Sequence, residues 1–512
     1  MRHLYAAKAN ALILLISLNF LAAPSLAQDA SSSSSMTMSK GSMKEVSKED
    51  LDALKKKLDA LCSSGDLGKT KVGVHVRDLA TGQILYAHDA DALYNPASNM
   101  KMVTSALALD LFGPAHTFTT TISAGDLKGN TIQGDLFVQG TGEGFLLYED
   151  VLDWAAQIKN QGIERLEGDV IIADGPFKGG DYLPPGFEQK NEDASYRASV
   201  GSVSVNFNAT TITLAPGAKP GDAPVITLDP PNDHLKIDSS LTTVSGTTRS
   251  LSVQSLPDEE AGDDGGTIIK IAGRIGVNAK PWSVRKRVDS PPLYAGSVFL
   301  HALADIGIDT TDAKVSRGEP SSKQKLTKLV AHGSEPLTEL VMAMNKWSNN
   351  FMAEQLFRAI GTAKEAGDAR GSWDGSVAVM KAFLESKLGL KEGADFRIKN
   401  GSGLYAGNGL SPRAITTLLH FMYGHVWSME YISSMAIAGV DGTLTNRFDN
   451  DRGRFRGKTG TLNEVSALSG YATTRSGRVV AVSILLNDPP VKAWRLRSKQ
   501  DEIAQAIIDF DR

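Results

Sequence analysis

Residues 96–103 read PASNMKMV and place a serine and a lysine three positions apart at the start of an apolar run. Residues i and i+3 of a helix lie on one face, so Ser98 and Lys101 are predicted to be neighbours. One interpretation is a helix cap followed by a surface charge. The other is a nucleophile beside its base at a helix N-terminus, where developing negative charge is favoured. Serine becomes reactive only when a neighbouring group takes its proton.

Lysine accepts a proton only in its neutral form, which requires burial or nearby positive charge to lower its pKa. The apolar neighbours Met100 and Met102 are compatible with such burial. The SxxK spacing alone is not specific, because the chain repeats it at Ser283 and Ser322. Other parts of the sequence must therefore decide between the two interpretations.

A second polar triplet, Ser348-Asn349-Asn350, interrupts an apolar stretch with helical spacing between Trp347 and Phe351. Unpaired buried polar groups cost on the order of 1–3 kcal/mol each, so these side chains need partners. Asn350 is a candidate to hold the lysine, and Ser348 to relay a proton. The alternative is a polar loop that breaks the helix.

A third motif, KTGT, precedes a strand-like run near the C-terminal end of the chain. A lysine and a threonine on a strand present a cation and a hydroxyl, which suit a substrate carboxylate. A glycine after them leaves room for a substrate to lie along the strand. The alternative is an exposed turn. The residues are Lys458, Thr459, Gly460 and Thr461.

The composition of the 512-residue chain is that of a globular protein, with 41% hydrophobic and 22% charged residues. A net charge of −4 gives no reason to expect a nucleic-acid partner. A single cysteine, Cys62, excludes an internal disulfide. The nine histidines lack metal-ligand spacing, so we expect neither a metal nor another cofactor.

The N-terminal end predicts export. Residues 1–27 combine a basic start, an apolar run at 11–23 and small residues before a cleavage point, and are interpreted as a signal peptide. The alternative is an uncleaved anchor, although the run is short for a bilayer span of roughly 20 residues. Residues 28–45, rich in Ser, Met and Lys, are predicted to be a flexible linker. No later segment is long and apolar enough to span a membrane.

Hydrophobic periodicity separates a strand-rich middle from mixed ends. Short strand-like runs bounded by Gly, Pro, Asp and Asn fill 117–327, including a run at 202–217. We therefore predict one domain built from 46–117 and 328–512, interrupted by a β-rich insert of one or two subdomains at 118–327. The elements predicted for the ends are a hairpin at 71–87, strands at 464–473 and 478–487, and helices from Lys48, at 98–111, from Leu337, at 373–388, at 412–423 and at 494–510.

SxxK, SxN and KTG in this order form the signature of β-lactamases and penicillin-binding proteins. The phrases PPGFE, SVSVNFN, MNKWSNNFMAEQL and GSGL and the long segment between Lys101 and Ser348 narrow the match. The chain resembles the class C low-molecular-mass penicillin-binding proteins, the secreted D-alanyl-D-alanine carboxypeptidases/endopeptidases. The resemblance implies a multidomain α+β fold: a serine β-lactamase-like transpeptidase domain, with an antiparallel sheet flanked by helices, interrupted by the insert.

The resemblance also implies roles for the matching residues. Ser98 is the acylated nucleophile and Lys101 its general base, with the backbone N–H groups of Ser98 and Thr461 as the oxyanion hole. Peptidoglycan stem peptides are the implied substrates, β-lactams the inhibitors and the periplasm the location. The implied catalytic residues are Ser98, Lys101, Ser348 and Asn350, and the implied substrate-binding residues are Lys458, Thr459, Gly460 and Thr461.

Two alternatives remain open on the sequence. A β-lactamase, or a D-amino-acid esterase or amidase, of the same superfamily would differ in how the acyl-enzyme is hydrolysed. A catalytically silent peptidoglycan-binding protein would keep the fold without acylation. The sequence also departs from the family at Tyr405 and Ala406, where an arginine often recognises the diaminopimelate side chain.

Overall fold

A computed structural model describes residues 44–512, apart from residues 179, 189–191, 259 and 261–264. The predicted signal peptide at 1–27 and nearly all of the predicted linker lie outside the described residues. Residues 45–512 form one compact unit.

This unit contains both helices and strands. The helices are α1 (Lys48–Cys62), α2 (Met100–Phe112), α3 (Tyr148–Asn160), α4 (Pro291–Asp305), α5 (Leu337–Trp347), α6 (Asn350–Ile360), α7 (Trp373–Leu388), α8 (Pro412–Tyr423), α9 (Ser428–Ser433) and α10 (Arg497–Ile508). The strands are β1 (Lys71–Asp78), β2 (Ile84–His88), β3 (Thr119–Ala124), β4 (Leu127–Lys128), β5 (Thr131–Ile132), β6 (Leu136–Gly140), β7 (Arg165–Leu166), β8 (Val170–Ala173), β9 (Ala209–Ala215), β10 (Val225–Asp229), β11 (Leu235–Val244), β12 (Arg249–Pro257), β13 (Thr267–Gly276), β14 (Trp282–Arg287), β15 (Val315–Arg317), β16 (Thr327–Gly333), β17 (Phe396–Arg397), β18 (Gly409–Leu410), β19 (Ala436–Ile437), β20 (Phe455–Leu462), β21 (Val465–Thr473) and β22 (Val479–Asn487).

The two ends of the described chain meet in a six-stranded antiparallel sheet of order β19-β20-β21-β22-β1-β2. Side chains alternate between its faces. Along β21, Ala467 and Tyr471 join the hydrophobic cluster of α2, α5, α6 and α8. Leu468 and Ala472 join the opposite cluster, which contains α1 and α10. Both faces are covered, which explains why β21 and β22 are buried at almost every position.

The part of the chain between α2 and α5 has its own hydrophobic cluster, with α3 and α4 packed on its sheets. The largest sheet here has the order β15-β8-β6-β3-β16. Its edge strand β16 reaches Gly333, so this sheet extends past the boundary predicted at residue 327. The division into an enzyme domain and an insert stays a prediction.

Local structure follows the sequence patterns closely at some elements and departs from them at others. The hairpin β1–β2 and helices α7 and α8 form where they were predicted. The run at 202–217 contains a strand only from Ala209, because residues 206–208 have left-handed backbone angles that no strand accommodates. The helix predicted at 494–510 begins at Arg497.

None of the described helices combines the length and the apolar character needed to cross a bilayer. Within the same residues, no group of three or more His, Cys, Asp or Glu side chains is placed to hold a metal ion.

Candidate active site

Ser98 lies in a short 3₁₀ turn, Ala97–Asn99, that leads into α2. The Asn95 side chain accepts a hydrogen bond from the Ala97 N–H at 2.9 Å, and Asn487 of β22 accepts one from the Asn95 N–H at 2.7 Å. Ala97 has a φ of 45°, a left-handed conformation that costs a non-glycine residue on the order of 1–3 kcal/mol. These contacts hold the strained turn and leave Ser98 partly exposed.

Two glycines allow neighbouring motifs to approach this turn. A Cβ on Gly403, in the GSGL phrase, would lie 1.8 Å from the Ala97 carbonyl oxygen. A Cβ on Gly460, in the KTGT motif, would lie 2.9 Å from the Pro96 carbonyl oxygen. Any larger residue at these positions would therefore displace the turn that carries Ser98.

Lys101 is fully buried on α2 and makes three hydrogen bonds. Its Nζ donates to Ser98 Oγ at 3.1 Å, to Asn350 Oδ1 at 2.7 Å and to the Ser402 carbonyl at 2.8 Å. Burial lowers the pKa of Lys101 to about 7, an effect that the carboxylate of Glu354 partly opposes. At neutral pH a substantial fraction of the amine is therefore neutral and able to accept the Ser98 proton.

The SxN triplet forms the junction between α5 and α6. Ser348 ends α5 in a left-handed conformation, with a φ of 56°. Asn349 then caps α6, because its Oδ1 accepts a hydrogen bond from the Met352 N–H at 3.0 Å. The single helical stretch expected from Leu337 is thus two helices. The break between them directs the side chain of Ser348 toward Lys458 and that of Asn350 toward Lys101.

Lys458 is fully buried on β20. Its Nζ donates to Ser348 Oγ at 2.8 Å and to the Thr459 carbonyl at 2.9 Å. Burial, and then the charge of Lys101, hold the pKa of Lys458 well below its ordinary value. Each of the two serines therefore contacts one buried amine: Ser98 contacts that of Lys101, and Ser348 contacts that of Lys458.

A cleft of about 330 Å³ opens in front of these groups. Ser98, Ser348 and the Thr459–Thr461 segment line it. Lys101 and Lys458 are buried and contact the two serines, and Asn350 contacts Lys101. The structure thus brings all eight residues predicted from the motifs to one place. The full lining is Ser98, Ser348, Thr443, Arg447, Thr459, Gly460, Thr461, Ser466, Ala467, Arg497 and Gln500.

Two arginines in this lining carry no motif signal and were missed from the sequence. Arg447 donates to Asp501 and Gln500, so its charge is already paired. Arg497, the first residue of α10, donates to Thr461 Oγ1 at 3.4 Å and has no carboxylate partner within the described part of the chain. The cleft therefore contains a cation that, among the described residues, is not paired with a carboxylate and that lies beside Thr461 of the KTGT motif.

The segment between the two ends of the chain reaches the site through residues 192–197. Asn350 Nδ2 donates to the Tyr196 carbonyl at 3.2 Å. The Tyr405 hydroxyl donates to the Glu192 carboxylate. The position that departs from the family pattern is thus occupied by a tyrosine paired with an acidic side chain.

The cleft contains a serine hydroxyl, a buried amine beside it and the guanidinium of Arg497. A hydroxyl next to a base is the arrangement that a serine acyl-transfer enzyme requires. Comparison with protein families gives a more specific result. The model of the D-Ala-D-Ala carboxypeptidase 3 (S13) family matches residues 54–508, and the chain belongs to this family. The predicted family and the prediction of a serine-type D-Ala-D-Ala carboxypeptidase are confirmed.

Individual relatives agree over most of the chain. A D-alanyl-D-alanine carboxypeptidase of Actinomadura sp. (strain R39) is 30% identical over 475 residues, which cover 90% of this chain and 85% of the relative. The D-alanyl-D-alanine carboxypeptidase DacB of Haemophilus influenzae is 24% identical over 441 residues, covering 85% of this chain and 89% of the relative.

Among solved structures, penicillin-binding protein 4 (dacB) from Haemophilus influenzae matches with a TM-score of 0.71 and 22% identity. The match covers 89% of this chain and 98% of the solved chain. This likeness confirms the predicted α+β fold, with an antiparallel sheet flanked by helices.

Proposed function

We propose that the chain is an exported peptidase that cleaves D-Ala-D-Ala bonds of peptidoglycan stem peptides through an acyl-enzyme on Ser98, and that penicillins acylate the same serine. The observation that carries this proposal is the position of the Lys101 amine, buried and within hydrogen-bond distance of Ser98 Oγ. Export to the periplasm is proposed from the sequence of residues 1–27.

In the proposed reaction, neutral Lys101 takes the hydroxyl proton while Ser98 Oγ bonds to the carbonyl carbon of the penultimate D-alanine. The backbone N–H groups of Ser98 and Thr461 stabilise the oxyanion. The peptide C–N bond then breaks as the leaving nitrogen takes the proton that Lys101 received, with Ser348, which is held by Lys458, as the relay. Water subsequently attacks the ester, releases the shortened peptide and returns a proton to Ser98 Oγ.

The terminal carboxylate of the substrate is assigned to Thr459, Thr461 and Arg497. Thr459 and Thr461 line the cleft and Arg497 contacts Thr461, whereas the Lys458 amine is occupied by Ser348 and Thr459. Lys458 then lies behind the carboxylate site, where it holds the Ser348 hydroxyl and the Thr459 carbonyl, and is not a direct ligand of the carboxylate.

Acylation by penicillins is proposed on the same chemistry. Opening of the β-lactam C–N bond leaves the expelled nitrogen attached to the acyl group, so it stays in the cleft and hinders water. A second solved structure of the Haemophilus influenzae protein, described as complexed with a novel β-lactam, supports this part of the proposal, with a TM-score of 0.67 and 21% identity.

The direct test is release of D-alanine from a diacetyl-Lys-D-Ala-D-Ala peptide by the chain starting at residue 28. We expect Ser98→Ala to reduce kcat/KM by roughly three orders of magnitude or more. Ser283→Ala is the matched control, because Ser283 begins another SxxK match but lies on β14, where its hydroxyl contacts Thr213. Turnover retained in Ser98→Ala contradicts the proposal.

A further inference from the structure

A buried carboxylate lies behind Lys101 and belongs to none of the three motifs. Glu354 follows Asn350 by one helical turn on α6, so both side chains project from the same face. It is fully buried. Its Oε2 accepts the Gly401 N–H at 3.1 Å and its Oε1 accepts the Ser402 N–H at 2.7 Å. Both oxygens act as acceptors, which suits the ionised carboxylate.

The two N–H groups belong to the turn whose carbonyl orients the lysine. The Ser402 carbonyl accepts the hydrogen bond from Lys101 Nζ at 2.8 Å. The neighbouring Gly401 carbonyl accepts one from Thr104 Oγ1 at 2.7 Å. The turn is thus held on its N–H side by Glu354 from α6, and on its carbonyl side by Lys101 and Thr104 from α2.

The charge of Glu354 acts on the same amine. It raises the pKa of Lys101 against the larger lowering effect of burial. Burial raises the pKa of Glu354 itself, while hydrogen bonds from Ser402 and Gly401 and the charge of Lys101 oppose this. The charge of Lys101 in turn helps to lower the pKa of Lys458 on β20. The protonation state of Lys101 itself therefore depends on its burial and on one carboxylate on α6.

We infer that Glu354 is a positioning residue for the Ser98 reaction: it fixes the turn at residues 400–403, whose Ser402 carbonyl orients Lys101, and it supplies the negative charge that balances the buried amine. The inference rests on the proposed function, in which Lys101 serves as the base.

The test measures the penicillin acylation rate constant of the chain starting at residue 28 between pH 5 and 9, for wild type, Glu354→Gln and Thr104→Val. Loss of the Glu354 charge lowers the pKa of Lys101, so we expect the acid limb of Glu354→Gln to move about one unit toward lower pH. Misplacement of the turn reduces its plateau roughly 10- to 100-fold. Thr104→Val loosens the same turn without a charge change and should keep the wild-type midpoint.

A conservative variant keeps the inference testable if Glu354→Gln does not fold. Glu354→Asp retains the charge but is too short to reach both N–H groups, so we expect a lower plateau at the wild-type midpoint. Folded Glu354→Asp with a wild-type rate at every pH overturns the inference, as does folded Glu354→Gln with an unshifted acid limb. Wild-type protein that penicillin does not acylate overturns the proposed function as well, so the two failures are distinguishable.

Discussion

The Lys101 amine is fully buried and lies 3.1 Å from the Ser98 hydroxyl oxygen, with Asn350 and Ser402 occupying its other hydrogen-bonding positions. This arrangement meets two requirements for a lysine that acts as a base. The amine is removed from water, which favours its neutral form, and it is oriented toward one particular hydroxyl. The chemistry proposed for the cleft depends on both conditions.

The first prediction concerns pH. Lys101 acts as a base only when neutral, and burial places its pKa at about 7. Acylation should therefore increase as the pH rises through 7 and decrease about tenfold per unit well below it. Lys101→Arg, whose guanidinium stays charged throughout this pH range, should not show this increase in acylation rate with pH. Stopped-flow acylation, with thermal unfolding to verify the fold at each pH, measures this. A rate that is constant from pH 5 to 8 contradicts the assignment.

The second prediction compares two adjacent asparagines. Asn350 Oδ1 accepts a hydrogen bond from the Lys101 amine. Asn350→Ala removes this contact, so the amine is less well oriented toward Ser98 and kcat/KM should fall roughly 10- to 100-fold. Asn349 instead caps α6, and Asn349→Ala should cost about 1 kcal/mol of unfolding free energy with little effect on kcat. Peptidase kinetics and urea unfolding of both variants separate the two roles. A large loss of kcat/KM in Asn349→Ala with little change in Asn350→Ala would contradict the role proposed for Asn350.

The third prediction concerns Arg497. Its guanidinium should bind the terminal carboxylate, so Arg497→Ala should raise KM roughly tenfold for a peptide ending in D-Ala-D-Ala. The same peptide with a terminal amide should show no such increase. Lys499→Ala on the same helix is the control, because this substitution makes the same change in net charge while Lys499 pairs with Glu502 at 2.9 Å. An equal effect of Arg497→Ala on both peptides refutes carboxylate recognition.

The sequence predicts the parts of the site that depend on local spacing. Ser98 and Lys101 share a helical face at i and i+3, and α7 and α8 begin and end where the apolar pattern places them. The order of the three motifs indicates a β-lactamase or penicillin-binding protein, and the phrases around them and the long segment between Lys101 and Ser348 indicate the family. These features need only the periodicity of a helix or strand and the identity of a few side chains.

Other features depend on contacts between distant segments, which local patterns do not record. The break at Ser348 and Asn349 interrupts a run whose apolar spacing favours one helix. Arg497 follows the KTGT motif by more than thirty positions, and its role depends on how α10 packs beside β20. Glu354 had one local signal, its position four residues after Asn350, but the sequence does not show that Gly401 and Ser402 pack against it.

The most direct test of the central claim is labelling with a fluorescent penicillin, followed by peptide mapping of the labelled protein. We expect a covalent label that persists after denaturation, maps to the peptide containing Ser98 and is absent from Ser98→Ala. Rapid turnover of the drug without a lasting label would contradict the proposed inhibition and place the chain with the β-lactamases. A folded wild-type protein that is neither labelled nor able to turn over the drug would contradict the acyl-enzyme itself.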